Sequence, residues 1–166
     1  MLDKNILQTA NRATAVLKNN NISISCAESC TGGLFSAYLT SIPGISSIYE
    51  MGMTTYSNRI KHGILGVCEK TIEENGAVSR NTAKEMAMRI RKISGSDIGM
   101  SVTGVAGPAS SEGKTPGTVY IALADSSQVY VEKLNINPIS RDFIRHTAVD
   151  AMFELILKYA QKNGIK

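Results

Sequence analysis

The alternating run Ile22-Ser23-Ile24-Ser25-Cys26 passes through Ala27-Glu28-Ser29-Cys30-Thr31-Gly32-Gly33 and enters the helix-like Leu34-Phe35-Ser36-Ala37-Tyr38-Leu39. Alternation marks a strand, and a double glycine gives the backbone freedom for a tight exit into a helix. A strand–turn–helix of this kind gathers hydroxyl, thiol and carboxylate groups at one point. It also leaves uncapped amides at a helix start, whose partial positive charge suits an anionic ligand or a developing oxyanion. This turn is therefore the first place to look for chemistry.

Helix and strand patterns alternate along the rest of the chain. Leu2 to Lys18 carries an apolar stripe (Leu2, Ile6, Leu7, Ala10, Ala13, Val16, Leu17) that predicts an amphipathic helix ended by Asn19-Asn20-Asn21. Pro43-Gly44 breaks the chain after the second helix, and Tyr49 to Tyr56 reads as a strand. Ser57-Asn58 then caps a short helix carrying Arg59, Ile60, Lys61 and Ile64. Ser79 opens the clearest helix, with Ala83, Met86, Ala87, Ile90 and Ile93 on one face and Gly95 as its stop. Ile98, Met100 and Val102 alternate in a third strand that ends at Thr103-Gly104, and a Gly-, Ser- and Pro-rich loop follows from Val105 to Pro116. Gly117 to Asp125 and Gln128 to Asn135 read as a hairpin turning at Ser126-Ser127. Ser140 caps a last helix through about Lys162, its buried side read as Phe143, Ile144, Ala148, Ala151, Leu155, Ile156 and Tyr159. The pattern predicts an α/β sandwich with a mixed sheet. Ligands of such sheets sit at the carboxyl ends of parallel strands. The turns Glu28–Gly33 and Thr103–Pro108 both qualify, and they line one crevice if their strands are neighbours.

At 166 residues, without an internal repeat or linker, a single domain over residues 1–166 is expected. A 43% hydrophobic and 19% charged composition excludes disordered and fibrous classes. The net charge of +4 is too diffuse to argue for nucleic acid, and Arg80, Lys84, Arg89, Arg91 and Lys92 lack the interleaved aromatics of a nucleic-acid surface. No apolar run approaches the roughly 20 residues of a membrane span, and Met1-Leu2-Asp3-Lys4-Asn5 lacks a signal-peptide core, so a cytoplasmic location is expected. Three cysteines cannot all pair, and His62 and His146 stand isolated, which predicts free thiols and no metal site. No cofactor is called for.

Several groups compete for a role. Ser29 is either a nucleophile or a helix cap. Cys30 is a rival nucleophile at a helix start. Glu28 either orients its neighbours, takes a ligand hydroxyl, or caps. A serine needs a base; His62 lies alone in a charged helix and His146 is expected to face outward. Lys61 is the other candidate, since burial makes a lysine neutral near pH 7, against the plain reading of a surface lysine. Gly107 to Thr115 imitates a phosphate-binding P-loop, but five residues separate its glycines and a strand follows, so an NTPase is rejected. Arg141 and Arg145, four apart, suit a phosphate or ordinary salt bridges.

Five ordered blocks bear on these choices: Ala27–Gly33; Thr55-Tyr56-Ser57-Asn58 with Lys61 and Leu65-Gly66; Gly76–Ser79; Val102–Pro108; and Pro116–Val119. Together they resemble the CinA C-terminal domain family, the nicotinamide-nucleotide amidohydrolases of the PncC type, over essentially the whole chain. The resemblance implies a three-layer α/β/α sandwich with a mixed, mostly parallel sheet. It implies hydrolysis of nicotinamide mononucleotide to nicotinate mononucleotide and ammonia in pyridine-nucleotide salvage, by a serine–lysine mechanism. Ser29 and Lys61 occupy the matching positions, with Thr103 as a third polar participant. Expected substrate contacts are Glu28, Cys30, Thr31, Gly32, Gly33, Tyr56, Asn58, Gly104 and Gly107, with Arg141 assisting at the phosphate. A homodimer is the expected assembly. Two departures stand out: Ala109-Ser110-Ser111-Glu112-Gly113 replaces the family's usual glycine-rich run, and Arg59-Ile60 stands where an acidic residue is common. Two other readings compete: a non-catalytic nucleotide-binding or interaction module tied to competence or DNA damage, and a Cys30 thiol amidase.

Overall fold

A computed structural model describes residues 2–166. Its elements in chain order are α1 (Lys4–Asn19), β1 (Ile24–Glu28), α2 (Leu34–Thr40), a single 3-10 turn (Ile45–Ser47), β2 (Tyr49–Thr54), α3 (Asn58–Gly63), α4 (Glu69–Asn75), α5 (Arg80–Ser94), β3 (Ile98–Gly104), β4 (Thr118–Ala124), β5 (Val129–Asn135) and α6 (Arg141–Lys162). The five strands form one sheet in the order β2-β1-β3-β4-β5. β1 pairs in parallel with β2 and β3, and β4 runs antiparallel to both β3 and β5. Only β4 opposes the common direction, so the sheet is mixed and mostly parallel.

Period-two alternation divides the strands between two packed faces. Ile24 and Cys26 of β1, Ile98, Met100 and Val102 of β3, and Val119, Ile121 and Leu123 of β4 join α1, α2 and α6 in the larger core. The opposite face carries small residues: Ser25, Ala27, Gly99, Ser101, Ala122 and Ala124. There α5 lays Ala83 and Ala87 close to the sheet. A Cβ at Gly99 would run into the Ala87 carbonyl, and Ser101 Oγ donates to Ala83 O at 2.6 Å. The three layers expected from the resemblance are therefore present.

The pattern places most elements, with informative exceptions. β1 continues through Ala27 and Glu28, past the run Ile22–Cys26. α4 and the 3-10 turn carry no readable signal: α4 is seven residues long, buries only Ile72 and has no side-chain cap bond at Cys68. Phe143, expected in the core, is 42% exposed, and Ile93 is 49% exposed. Phe143 lies about 100° round α6 from Ile144, on the side away from Met152. His146, expected to face outward, is half-buried with Nδ1 3.0 Å from the Tyr38 hydroxyl. Among the described residues, no helix is long and apolar enough to cross a membrane, and no three His, Cys, Asp or Glu side chains gather to hold a metal.

Candidate active site

The carboxyl ends of β2, β1 and β3 lie side by side and open into a cavity of about 240 Å³. Ser29 leaves the end of β1, where its amide donates to Val102 O of β3 at 3.1 Å. On the other flank the Thr55 amide donates to Glu28 O at 2.7 Å, which pins the β2–α3 connection against β1. Ser57 then caps α3, its side chain accepting from the Ile60 amide, and Lys61 sits one turn in. α3 thus delivers a lysine from the edge of the sheet to its centre.

Lys61 is 1% exposed. Its Nζ lies 3.0 Å from Ser29 Oγ, 2.9 Å from Thr55 O and 3.3 Å from Tyr56 O. Burial draws its pKa below the ordinary 10.5, against smaller opposing fields from Cys30 and Glu112. As an ammonium the group donates to all three oxygens; burial favours loss of a proton, and the geometry also accommodates the neutral amine. Its two N–H bonds go to the two carbonyls and its lone pair faces the serine hydroxyl, which then donates. A surface lysine is excluded by the burial.

Nine of the expected site residues line this cavity: Ser29, Cys30, Tyr56, Asn58, Lys61, Thr103, Gly104, Gly107 and Arg141. Arg141, in the first turn of α6, spans the mouth, donating to Gly107 O at 2.6 Å and to the Tyr56 hydroxyl at 3.0 Å. Thr103 is fully buried and donates to Ala77 O at 2.8 Å, so its hydroxyl is committed to the segment before α5.

Glu28, Thr31, Gly32 and Gly33 stand behind the cavity rather than on its wall. Gly32 and Gly33 make the turn with φ of 60° and 93°. Glu28, 1% exposed, caps α2. Its Oε2 accepts from Thr31 Oγ1 and the amides of Gly33 and Phe35, and its Oε1 from the amide and hydroxyl of Ser36. The capping reading of Glu28 wins, while Ser29 is released from capping and faces Lys61. The Gly32 amide donates to Ser29 O and the Leu34 amide to Thr31 O. Of the turn's donors from Cys30 to Gly33, the Thr31 amide meets no acceptor among the described residues and the Cys30 amide meets only its own thiol. The Cys30 thiol is pushed up to about 12, chiefly by burial.

Sequence reasoning did not single out Ala77, Val78 and Glu112, all of which line the cavity. Nor did it find the carbonyls of Thr55 and Tyr56 that hold the amine, because a backbone acceptor has no residue signature.

The sequence profile of the CinA C-terminal domain matches residues 7–160. A protein of Acetivibrio thermocellus named as competence-damage inducible is 46% identical over 151 residues, covering 90% of this chain and 36% of its own length. One from Bacillus velezensis is 45% identical over 141 residues, covering 85% and 34%. The chain therefore spans about a third of the length of these relatives. The crystal structure of the competence/damage inducible protein CihA from Agrobacterium tumefaciens superposes with a TM-score of 0.91 at 34% identity, covering 95% of this chain and 97% of that one. A CinA-superfamily protein from Klebsiella pneumoniae gives 0.89 at 27% identity, over 92% and 96%. A fold shared along its whole length, together with a profile match over nearly all of it, makes this chain a member of the CinA C-terminal domain family.

Proposed function

We propose that the protein is an amidohydrolase that converts nicotinamide mononucleotide to nicotinate mononucleotide and ammonia, using Ser29 as nucleophile and Lys61 as base. The observation that carries this reading is the 3.0 Å contact between Ser29 Oγ and the buried Lys61 Nζ at the mouth of the sheet. Neutral Lys61 takes the hydroxyl proton while Oγ attacks the carboxamide carbon. The tetrahedral oxyanion turns toward the Cys30 amide, a donor type typically worth a few kcal/mol to such an intermediate. Collapse expels the amine, which leaves as ammonia with the proton returned by Lys61. Water then attacks the acyl-enzyme with Lys61 again as base, and the proton passes back to Ser29 Oγ as the carboxylate departs. The phosphate falls to Arg141 and to the Ala106 and Gly107 amides, which meet no acceptor among the described residues. Each of these residues lines the cavity.

The thiol alternative is disfavoured, because a thiol titrating at about 12 supplies almost no thiolate at neutral pH. Ammonia release from nicotinamide mononucleotide tests the reading. Wild type and Cys30→Ser should turn over, whereas Ser29→Ala and Lys61→Ala should lose at least about 10³-fold while remaining folded. Full activity in either of the last two discards the dyad. Ligand-induced stabilisation of wild type without turnover would favour a binding module instead.

A further inference from the structure

The charges around the cavity are few and opposite. Among the residues lining it, Arg141 brings a fixed cation, Glu112 a carboxylate and Lys61 the base. Glu112 belongs to the loop between Pro108 and Pro116. It is held in place: Oε1 accepts from the Ala77 amide and Oε2 from the Val78 amide, both at 3.1 Å, and its φ of 52° lies in the left-handed region. Lys114 Nζ stands 3.7 Å from Oε2, and the Glu112 side chain remains 30% exposed. Each carboxylate oxygen keeps a lone pair beyond its one amide. The Glu112 charge is also felt at Lys61, where it opposes the lowering of the amine pKa by burial. Glu112, Lys61 and Ser29 line the same cavity, the space a substrate amide must enter to reach the serine.

Nicotinamide mononucleotide is itself charged at two ends, with an anionic phosphate and a quaternary pyridinium ring that bears the amide. We propose that Glu112 reads the positive charge of that ring, so that the site selects N-substituted pyridinium amides over uncharged dihydropyridine amides of the same shape. The inference rests on the deamidase reading. Arg141, at the mouth, takes the anionic end, and Glu112, beside the α5 N-terminus, faces the ring. Lys114 competes with the ring for the same carboxylate.

The test compares oxidised nicotinamide mononucleotide with its reduced dihydro form, which keeps the phosphate, ribose and amide but lacks the cation. Calorimetric titration of the Ser29→Ala protein should show the oxidised form bound about threefold to fivefold more tightly, the scale of a partly exposed ion pair. Adding Glu112→Gln should erase that preference by weakening the oxidised form alone, and adding Lys114→Ala should widen it. Thermal melts establish that each variant is folded; if Glu112→Gln is not, Glu112→Asp and Lys114→Ala still read the preference. Equal binding of both forms by Ser29→Ala overturns the proposal. So does a Glu112→Gln variant that weakens both forms alike, since that would be a purely structural role. If wild type releases no ammonia and Ser29→Ala binds neither form, the deamidase reading itself falls. Turnover by wild type with an oxidised-form preference that survives Glu112→Gln removes this inference alone.

Discussion

Ser29 and Lys61 depend on each other in a way neither shows alone. Lys61 lies in the six-residue helix α3, and nothing in Arg59-Ile60-Lys61-His62 marks its amine as buried. The burial follows from the Thr55 amide bonding to Glu28 O, which swings α3 over the end of β1. Its proton affinity then falls because an ammonium would be desolvated. On the proposed mechanism the neutral amine is the working form, so kcat/KM should rise with pH through the lowered Lys61 pKa and level off above it. Stability carries the same signature. Between that lowered value and 10.5 the unfolded chain binds the extra proton, so folding strengthens as pH rises across this window. Lys61→Met should abolish ammonia release and flatten that part of the stability–pH curve relative to wild type, as chemical denaturation at several pH values would show.

Secondary elements differ in how openly the sequence announces them. α5 was readable because Ser79, its apolar face and Gly95 all agree, and the structure gives it a bonded cap and a left-handed stop. α4 was not, since its anchoring comes from elsewhere: Glu85 of α5 accepts from the Cys68 amide and the Thr71 hydroxyl. α2 is a third case. Its cap is Glu28, which lies in the preceding strand, five to eight residues from the groups it bonds, except for Thr31 at three. Local cap rules look one to three residues away and miss such a device. Glu28→Ala would strand these donors in a dry place and should cost about 3 kcal/mol. That is a fall in Tm on the order of 10 °C for a chain of this size, measurable by differential scanning calorimetry. Activity per folded molecule should fall too, because the turn that aims Ser29 would slacken.

On the scale of the whole molecule, the parallel pairing of β2, β1 and β3 puts the candidate site residues at one end of the sheet, where the carboxyl ends of these strands meet. The crevice between the Ser29 and Thr103 turns was legible because both follow alternating strands; that β1 and β3 are neighbours was not, since strand order depends on long-range pairing. The chain joins segments from residue 29 to residue 141 in one cavity, so ligand binding should be felt globally. Nicotinamide mononucleotide at about 100 times its Kd should stabilise Ser29→Ala by about 2.7 kcal/mol, a rise in Tm of roughly 5–10 °C. The grip of Glu112 on Ala77 and Val78 has a further consequence. Among the described residues the acceptor of each of those two amides is a carboxylate oxygen of Glu112 and not a backbone carbonyl, and both residues are buried. Deuterium uptake at Ala77 and Val78 should therefore quicken in Glu112→Gln relative to wild type, reporting how firmly the Ala109–Lys114 loop is tethered beside the cavity.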